Sequence, residues 1–195
     1  MAAARSRNRH PLTNDFLSMY SFPLDDFQLR GCQSLEDGRS VLVAAPTGAG
    51  KTIVGEFAAF LADRHGTRCF YTTPIKALSN QKFQELTKIY GESEVGLLTG
   101  DSSINGDAPI VVMTTEVLRN MIYANPDSLT SLGFVVMDEV HYLADKFRGA
   151  VWEEILIHLP ERIQVISLSA TVSNAEEFGD WLVSVRGETD VVLSE

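Results

Sequence analysis

The chain has 195 residues, of which 45% are hydrophobic and 22% are charged, a balance that excludes a disordered or a collagen-like protein. Acidic residues outnumber basic ones by 26 to 16, so that the net charge at pH 7 is -10. The chain lacks the overall positive charge of proteins that hold nucleic acid by charge alone, and any nucleic-acid binding must be local.

The first ten residues carry three arginines and no apolar core, so a secretory signal is not expected. We predict a flexible basic arm over residues 1–15, with an organelle transit peptide as the alternative, and one folded domain over residues 16–195. The apolar runs are shorter than the roughly 18 residues of a membrane span, so no membrane association is expected. Two cysteines are too few for a disulfide framework or a zinc cluster, which favours a reducing compartment such as the cytoplasm.

From residue 41 onward, short apolar runs alternate with segments of helical periodicity. The runs are rich in β-branched and aromatic residues, which is typical of strands covered on both faces of a parallel sheet. We predict strands over residues 41–45, 68–73, 95–99, 110–114, 134–137 and 162–170, the start of a strand at residues 191–193, and a helix over residues 174–185. This alternation predicts an α/β fold in three layers, in which a mostly parallel central sheet has helices on both faces.

The first predicted strand is followed by a candidate phosphate-binding loop that opens a predicted helix, the context that such a loop requires. Its residues are Pro46, Thr47, Gly48, Ala49, Gly50, Lys51 and Thr52. The two glycines let the backbone approach an anion, Lys51 would neutralise the β- and γ-phosphates, and the Thr52 hydroxyl would bind Mg2+. Ala45 departs from the general pattern, which has glycine at that position. The alternative is a glycine-rich turn without a ligand.

The predicted strand over residues 134–137 is followed directly by Asp138, Glu139 and, two positions later, His141. Asp138 would hold Mg2+ through water, because that ion keeps much of its hydration shell. Glu139 would orient or deprotonate the attacking water. The alternatives are two acids that cap a strand and a half-buried structural histidine.

The last apolar run ends in Ser169, Ala170 and Thr171. Small hydroxyl side chains at a strand end could couple the metal site to a neighbouring surface, and they are equally ordinary as hydrogen-bonding groups of the strand end. With His141, the two hydroxyl residues Ser169 and Thr171 are the candidate coupling residues.

The motifs in this order resemble the first RecA-like lobe of a superfamily-two helicase, a phosphate-loop NTPase. The resemblance runs from about residue 22 to residue 182 and includes residues 72–78 and 114–116. Residues 138–160 are similar to the DEVH-box helicases of the superkiller type, and among them to the bacterial HelY-like members.

This resemblance implies further site residues. Gln28 would hydrogen-bond the adenine edge and Phe22 would stack on its face, the alternative being a hydrophobic start of the following helix. Other positions would face one strand of nucleic acid through backbone amides and hydroxyls. They are Pro74, Lys76, Gly100, Asp101, Thr115 and Glu116. Lys76 has the alternative of a solvated surface lysine.

The resemblance implies an ATP-dependent helicase whose cofactors are ATP and Mg2+ and whose partners are single-stranded DNA or RNA and a second RecA-like lobe. In the family that second lobe supplies arginines to the γ-phosphate, and we do not find it in the sequence. The lobe alone is therefore expected to hydrolyse ATP slowly and to unwind nothing. One alternative is a nucleotide-gated nucleic-acid-binding module without turnover. Another, a small-molecule kinase, accounts for residues 41–52 but not for the later motifs.

Overall fold

The computed structural model describes residues 9–141, 149–170 and 175–194. The strands in these ranges are β1 (Ser40–Ala44), β2 (Arg68–Thr73), β3 (Val95–Leu98), β4 (Ser103–Ile104), β5 (Ile110–Thr114), β6 (Leu132–Met137), β7 (Gln164–Ser169) and β8 (Thr189–Leu193). The α-helices are α1 (Pro11–Leu17), α2 (Asp26–Glu36), α3 (Thr52–His65), α4 (Lys76–Tyr90), α5 (Thr115–Ala124), α6 (Gly149–His158) and α7 (Ala175–Arg186). None of the helices in the described ranges is both long and apolar enough to cross a bilayer.

The strands form one sheet in the order β4-β3-β5-β2-β6-β7-β1-β8. Every neighbouring pair in that order is parallel except β3 and β4, which are antiparallel. Parallel neighbours require a crossover connection between them, which here is mostly a helix. The mostly parallel sheet predicted from the sequence is confirmed.

The predicted strands differ from the observed ones mainly at their ends. The run predicted over residues 162–170 forms a strand only from Gln164 to Ser169. Arg162 lies before it and uses its guanidinium to bind the carbonyls of Leu129, Thr130 and Leu132, at the start of β6 and the turn before it. The short strand β4 was not predicted. Its two residues, Ser103 and Ile104, are exposed, so they carry none of the apolar patterning on which a strand prediction rests.

Side chains of the central strands alternate between two core layers. On β1, Val41 and Val43 belong to one layer and Leu42 to the other. Helices α1 to α4 cover the first layer, and α5 to α7 cover the second. Burial on both faces explains why these strands have no polar alternation in their sequence. The predicted arrangement, with helices on both faces of the sheet, is confirmed.

Residues 11–15, predicted above to belong to a flexible arm, are helical in the structure. The Glu36 carboxylate of α2 accepts hydrogen bonds from the amide and the hydroxyl of Thr13, at 2.9 and 2.6 Å, and so supplies acceptors to a helix start that lacks them. Phe16 is buried and packs against Phe57, with ring centroids 5.1 Å apart. A cap that comes from another helix cannot be found in the local sequence.

Arg186, at the end of α7, ties that helix to the end of α6 and the turn that follows it. The guanidinium is buried, and burial lowers the pKa of Arg186 below its usual range. It donates hydrogen bonds to the carbonyl oxygens of Leu156, Leu159, Pro160 and Ile163. One side chain therefore satisfies several of the acceptors that a helix leaves unpaired at its C-terminus.

We expect Arg186→Met to lower the free energy of unfolding by about 2–4 kcal/mol, since several buried carbonyls lose a charged donor at once. The matched control is Arg30→Met, because Arg30 is half exposed and pairs with Asp26 at 3.1 Å on the surface of α2. That change should cost less than about 1 kcal/mol. Urea unfolding followed by circular dichroism measures both values, and equal losses for the two variants would contradict the prediction.

Candidate functional site

The sequence motifs meet at one edge of the sheet. The glycine-rich loop follows β1, residues 138–141 follow β6, residue 170 follows β7 and residues 74–75 follow β2. These four strands are consecutive neighbours, in the order β2-β6-β7-β1. Because all of them are parallel, their carboxyl ends lie along the same edge, which is where open α/β sheets bind ligands.

The glycine-rich loop has the backbone of a phosphate-binding loop. Gly48 and Gly50 have φ angles of +86° and +84°, which glycine adopts without strain. Helix α3 begins immediately after Lys51, and the Ile53 and Val54 amides of its first turn donate to the Gly50 and Lys51 carbonyls, at 3.2 Å each, so the loop leads directly into the helix. Ala45, the departure from the usual glycine, lies in the first core layer, outside the exposed part of the loop.

Lys51 is 5% exposed and forms no ion pair with any residue that the structure describes. Although the residue is buried, its ammonium nitrogen is not among the described buried atoms that lack a partner, so an anion can reach the charge from solvent. The positive end of α3 points to the same place and also favours an anion. Lysine, helix and loop therefore form one electropositive site that suits a phosphate group.

The two residues predicted to hold adenine differ in their surroundings. The buried Gln28 side chain donates a hydrogen bond from Nε2 to the Gly50 carbonyl at 2.9 Å, and its Oε1 accepts one from the Asp25 amide at 2.8 Å. Gln28 thus ties the start of α2 to the loop. Phe22 is 53% exposed and meets Tyr20 edge to face, at 5.4 Å between ring centroids. About half of the Phe22 surface is therefore accessible to a ligand.

Asp138 is 8% exposed and is held through both carboxylate oxygens. Oδ1 accepts a hydrogen bond from the Glu139 amide at 2.8 Å, and Oδ2 accepts one from the Tyr71 hydroxyl at 2.6 Å. Burial, followed by the Asp138 charge, raises the pKa of Tyr71 well above its usual range, so this hydroxyl stays a donor. Tyr71 lies in an apolar run and reads as a core residue in the sequence, which is why it was missed as a site residue.

Glu139 has a φ of +55°, which is uncommon for a residue other than glycine and recurs at functional sites. Its Oε2 lies 2.9 Å from Nε2 of His141, and Nδ1 of the same ring accepts the Ala170 amide proton at 3.2 Å. Since Nδ1 accepts, the ring proton is assigned to Nε2, which donates to Glu139. The histidine therefore links the carboxylate pair to the end of β7.

The residues predicted to couple the site take different positions. His141 makes the link just described, which includes the Ala170 amide at the end of β7. Ser169 is buried, and its carbonyl accepts the amide of Ala45, at 3.0 Å, so that the end of β7 holds the start of the phosphate loop. Thr171 lies outside the described residues, and its coupling role stays a prediction.

The predicted nucleic-acid residues lie on three segments beside this site. Lys76 begins α4 and forms an exposed ion pair with Asp101, which follows β3. Hydrogen bonds from Lys76 and then Thr99 lower the pKa of Asp101. Gly100 is exposed and Pro74 is partly exposed. Lys76 is thus already paired with a carboxylate, and a phosphate that binds Lys76 would have to compete with Asp101.

At the start of α5, which is the third segment, one predicted residue is buried and the next is exposed. Thr115 is buried, and its hydroxyl donates to the Thr73 carbonyl at 3.1 Å. Glu116 is exposed in the first turn of the helix. The Thr115 side chain therefore braces β2, and a contact with nucleic acid would have to come from its backbone.

The oxygen donors at the sheet edge fit Mg2+. In the part of the chain that the structure describes, no three His, Cys, Asp or Glu side chains form a metal cage. Mg2+ does not need one, since it keeps several waters and is bound by one or two carboxylates together with nucleotide phosphates. The Asp138 carboxylate and the Thr52 hydroxyl, which follow β6 and the phosphate loop, supply suitable hard ligands.

Comparison with known sequences agrees with the motifs. Residues 25–178 match the family model described as DEAD/DEAH box helicase. The chain is 63% identical over 180 residues to the probable helicase HelY of Mycobacterium tuberculosis, covering 92% of this chain and 20% of that protein. It is 47% identical over 175 residues to the antiviral helicase SKI2 of Saccharomyces cerevisiae, covering 90% and 14% respectively. The chain spans a fifth or less of the length of these relatives, and the predicted superkiller-type, HelY-like resemblance is confirmed.

Solved structures show the same fold. The helicase Lhr of Mycobacterium smegmatis, bound to ssDNA and AMP-PNP, matches with a TM-score of 0.74 and 28% identity, over 94% of this chain and 27% of that one. The UvsW helicase of bacteriophage T4 matches with a TM-score of 0.68 and 20% identity, over 92% and 66% respectively, and supports the fold alone. The predicted RecA-like domain is confirmed.

The contact between Gln28 and the phosphate loop predicts that alanine at Gly50 destabilises the protein more than alanine at Gly38. A Cβ at Gly50 would lie 2.5 Å from Nε2 of Gln28, whereas a Cβ at Gly38, which has a similar φ of +88°, would meet nothing within 4 Å. Both alanine variants pay for a left-handed backbone, roughly 1–2 kcal/mol. Gly50→Ala should cost about 1–3 kcal/mol more, because Gln28 must give up its two hydrogen bonds.

Thermal or urea unfolding of Gly50→Ala and Gly38→Ala measures that difference. In a Gln28→Ala background the two glycine variants should cost the same, since the obstructing amide is gone. A difference that persists in that background would show that the methyl group meets something other than Gln28.

Proposed function

The chain belongs to the DEAD/DEAH box helicase family and forms the N-terminal motor lobe of a superfamily-two helicase, and on that premise we propose that it binds Mg2+ and ATP and hydrolyses ATP to drive movement along, or unwinding of, a nucleic acid. The observation that carries the proposal is Lys51. It is a lysine of 5% exposure without a described carboxylate partner, at a helix start, two strands away from the strand that delivers Asp138 and Glu139. A triphosphate with its metal satisfies both sides of this arrangement.

The nucleotide would lie across the phosphate loop. Loop amides and Lys51 would bind the β- and γ-phosphates, with Pro46, Thr47 and Ala49 shaping the loop. Phe22 would stack on the base. Gln28 has one free N–H and one free lone pair beyond its bonds to Gly50 and Asp25, a donor and an acceptor that match the edge of adenine.

Hydrolysis would use the carboxylate pair. Asp138 and the Thr52 hydroxyl would hold Mg2+, which when bound neutralises charge on the phosphates. Glu139 would orient the attacking water and accept its proton. Its Oε2 is already occupied by His141 at 2.9 Å, which leaves Oε1 to face the water. The same histidine binds the Ala170 amide, so a shift of the β7 end on nucleic-acid binding would reach Glu139.

The nucleic-acid partner would be a single strand of DNA or RNA. Lhr, to which the chain is 28% identical, is described as bound to ssDNA, and this likeness supports the substrate class. Pro74, Lys76, Gly100, Asp101 and Glu116 would face the strand, with Thr115 contributing its backbone. The protein is acidic overall, so affinity would come from these local contacts and would be sensitive to salt.

Full activity would need a second RecA-like lobe. A residue supplied from outside to a phosphate-loop site can raise the rate by roughly 10³–10⁵-fold, as arginine fingers do. We therefore infer that these 195 residues bind nucleotide but hydrolyse it slowly and unwind nothing by themselves. The second candidate, a nucleotide-gated binding module, differs only in having no turnover.

We place this activity in the cytoplasm. Cys32 and Cys69 are both buried and free, and burial raises the pKa of Cys69 to about 12. Free, unreactive thiols of this kind are typical of a reducing compartment.

Nucleotide binding tests the role of Lys51. With a fluorescent ATP analogue in Mg2+, we expect Lys51→Ala to weaken binding about tenfold or more, equivalent to at least about 1.4 kcal/mol. The control is Lys88→Ala, because Lys88 is an exposed lysine near the end of α4 and its loss should leave the dissociation constant unchanged. Equal affinity of the two variants would refute the phosphate-loop assignment.

Steady-state ATP hydrolysis, measured with and without single-stranded DNA or RNA, tests the reaction. We expect a low basal rate, stimulation by one of the two polymers, and a loss of about 10²-fold or more in Glu139→Gln with nucleotide binding retained. Glu92→Gln, a change at an exposed carboxylate, serves as the control and should keep the stimulated rate. A flat, near-zero rate alongside intact nucleotide binding would favour the binding module instead.

A further inference from the structure

Beneath the carboxylate pair lies a tyrosine that the proposed mechanism does not use. Tyr71, in the middle of β2, is 1% exposed. Its hydroxyl donates a 2.6 Å hydrogen bond to Oδ2 of Asp138. The two residues are 67 positions apart in the sequence. Tyr71 lies on β2, and Asp138 directly follows the adjacent strand β6. The ring belongs to the core, but the hydroxyl reaches the site edge of the sheet.

The Tyr71 ring is fixed by groups from two helices. The Lys82 ammonium of α4 lies 5.0 Å from the ring centroid, a distance typical of a cation–π contact. Lys82 is itself buried and is held by Glu56 at 3.6 Å and Glu85 at 3.4 Å. On the α3 side, Gly55 leaves room for the ring, since a Cβ there would approach Cε2 at 3.2 Å. The hydroxyl therefore has little freedom of position.

This fixed donor determines how Asp138 is oriented. One carboxylate oxygen is held by the Glu139 amide, at 2.8 Å, and the other by Tyr71. Two donors on two oxygens define the plane of the carboxylate and leave one lone pair on each oxygen for further ligands. If only the ring were needed, as core packing requires, phenylalanine would fill the same space. The hydroxyl is the part that acts on the site.

We infer that Tyr71 is a positioning residue of this motor lobe, whose hydroxyl holds the Asp138 carboxylate in the orientation that receives Mg2+ with the nucleotide. The inference rests on the proposed role of Asp138 in holding that metal. Groups that orient a metal-binding side chain typically contribute a factor of 10 to 100 in metal affinity or activity. Tyr71 would act in this way from the interior of the sheet, with Lys82 packed over its ring and Gly55 leaving the space that the ring occupies.

The test is the Mg2+ dependence of nucleotide binding, which requires no turnover. For each variant of the full 195-residue chain, the dissociation constant of a fluorescent ATP analogue is measured in Mg2+ and again in EDTA. The dissociation constant in EDTA divided by that in Mg2+ reports the contribution of the metal to binding. We expect Tyr71→Phe to reduce that ratio about tenfold and to leave binding in EDTA unchanged.

Tyr123→Phe is the control. The Tyr123 hydroxyl also donates to a carboxylate, Oε2 of Glu154, at 3.4 Å, but this exposed pair joins α5 to α6 and involves neither Asp138 nor the groups around the Tyr71 ring. The control should keep the wild-type ratio, and thermal unfolding of both variants measures any loss of stability. A Tyr71→Phe variant that loses stability but keeps its ratio would overturn the inference.

A double-mutant cycle with Asp138→Asn separates this inference from the function on which it rests. If Tyr71 acts through Asp138, then Tyr71→Phe should lower the ratio no further in the Asp138→Asn background. A reduced ratio in Asp138→Asn together with a normal one in Tyr71→Phe would overturn the positioning role and leave the metal site intact. A normal ratio in Asp138→Asn would overturn both, because Asp138 would then hold no metal.

Discussion

The site depends on the parallel pairing of β1 with β7 and of β7 with β6. In this register Ala44 lies beside Ser169 and Ser167 beside Met137, so the phosphate loop and the carboxylate pair leave the sheet from the same line. The Ala45 amide continues the ladder onto the Ser169 carbonyl. Since the loop ends at Thr52 and the carboxylate pair begins at Asp138, 86 positions later, only the sheet can bring them together. The position of the loop relative to the carboxylate pair therefore depends on the register of these strands.

The buried basic residues differ in whether their charge has a partner within the protein. Among the described residues, Lys51, Lys82 and Arg186 are buried. Lys82 is balanced by two glutamates, and Arg186 by backbone carbonyls. Lys51 has neither a carboxylate nor a carbonyl partner for its ammonium among the described residues. A cation without a partner favours an anion beside it, which supports the phosphate site proposed above.

Much of this could be predicted from the sequence, because short segments carry the information. Apolar runs without polar alternation indicate strands buried on both faces, and their alternation with helical segments determines the α/β class. The glycines at 48 and 50 and the acids at 138 and 139 follow strands, so the chain topology alone brings them to the ligand edge of the sheet.

Only the tertiary structure decided which groups hold those motifs. Tyr71 reads as a core residue until its hydroxyl is found on Asp138, and Thr115 reads as an exposed helix start until its hydroxyl is found on Thr73. The His141 ring accepts the Ala170 amide at the end of β7, a contact that the sequence does not indicate. The physical reason is the same in each case. Spacing along the chain determines which face of an element a side chain occupies, whereas a hydrogen bond between distant elements depends on how they pack.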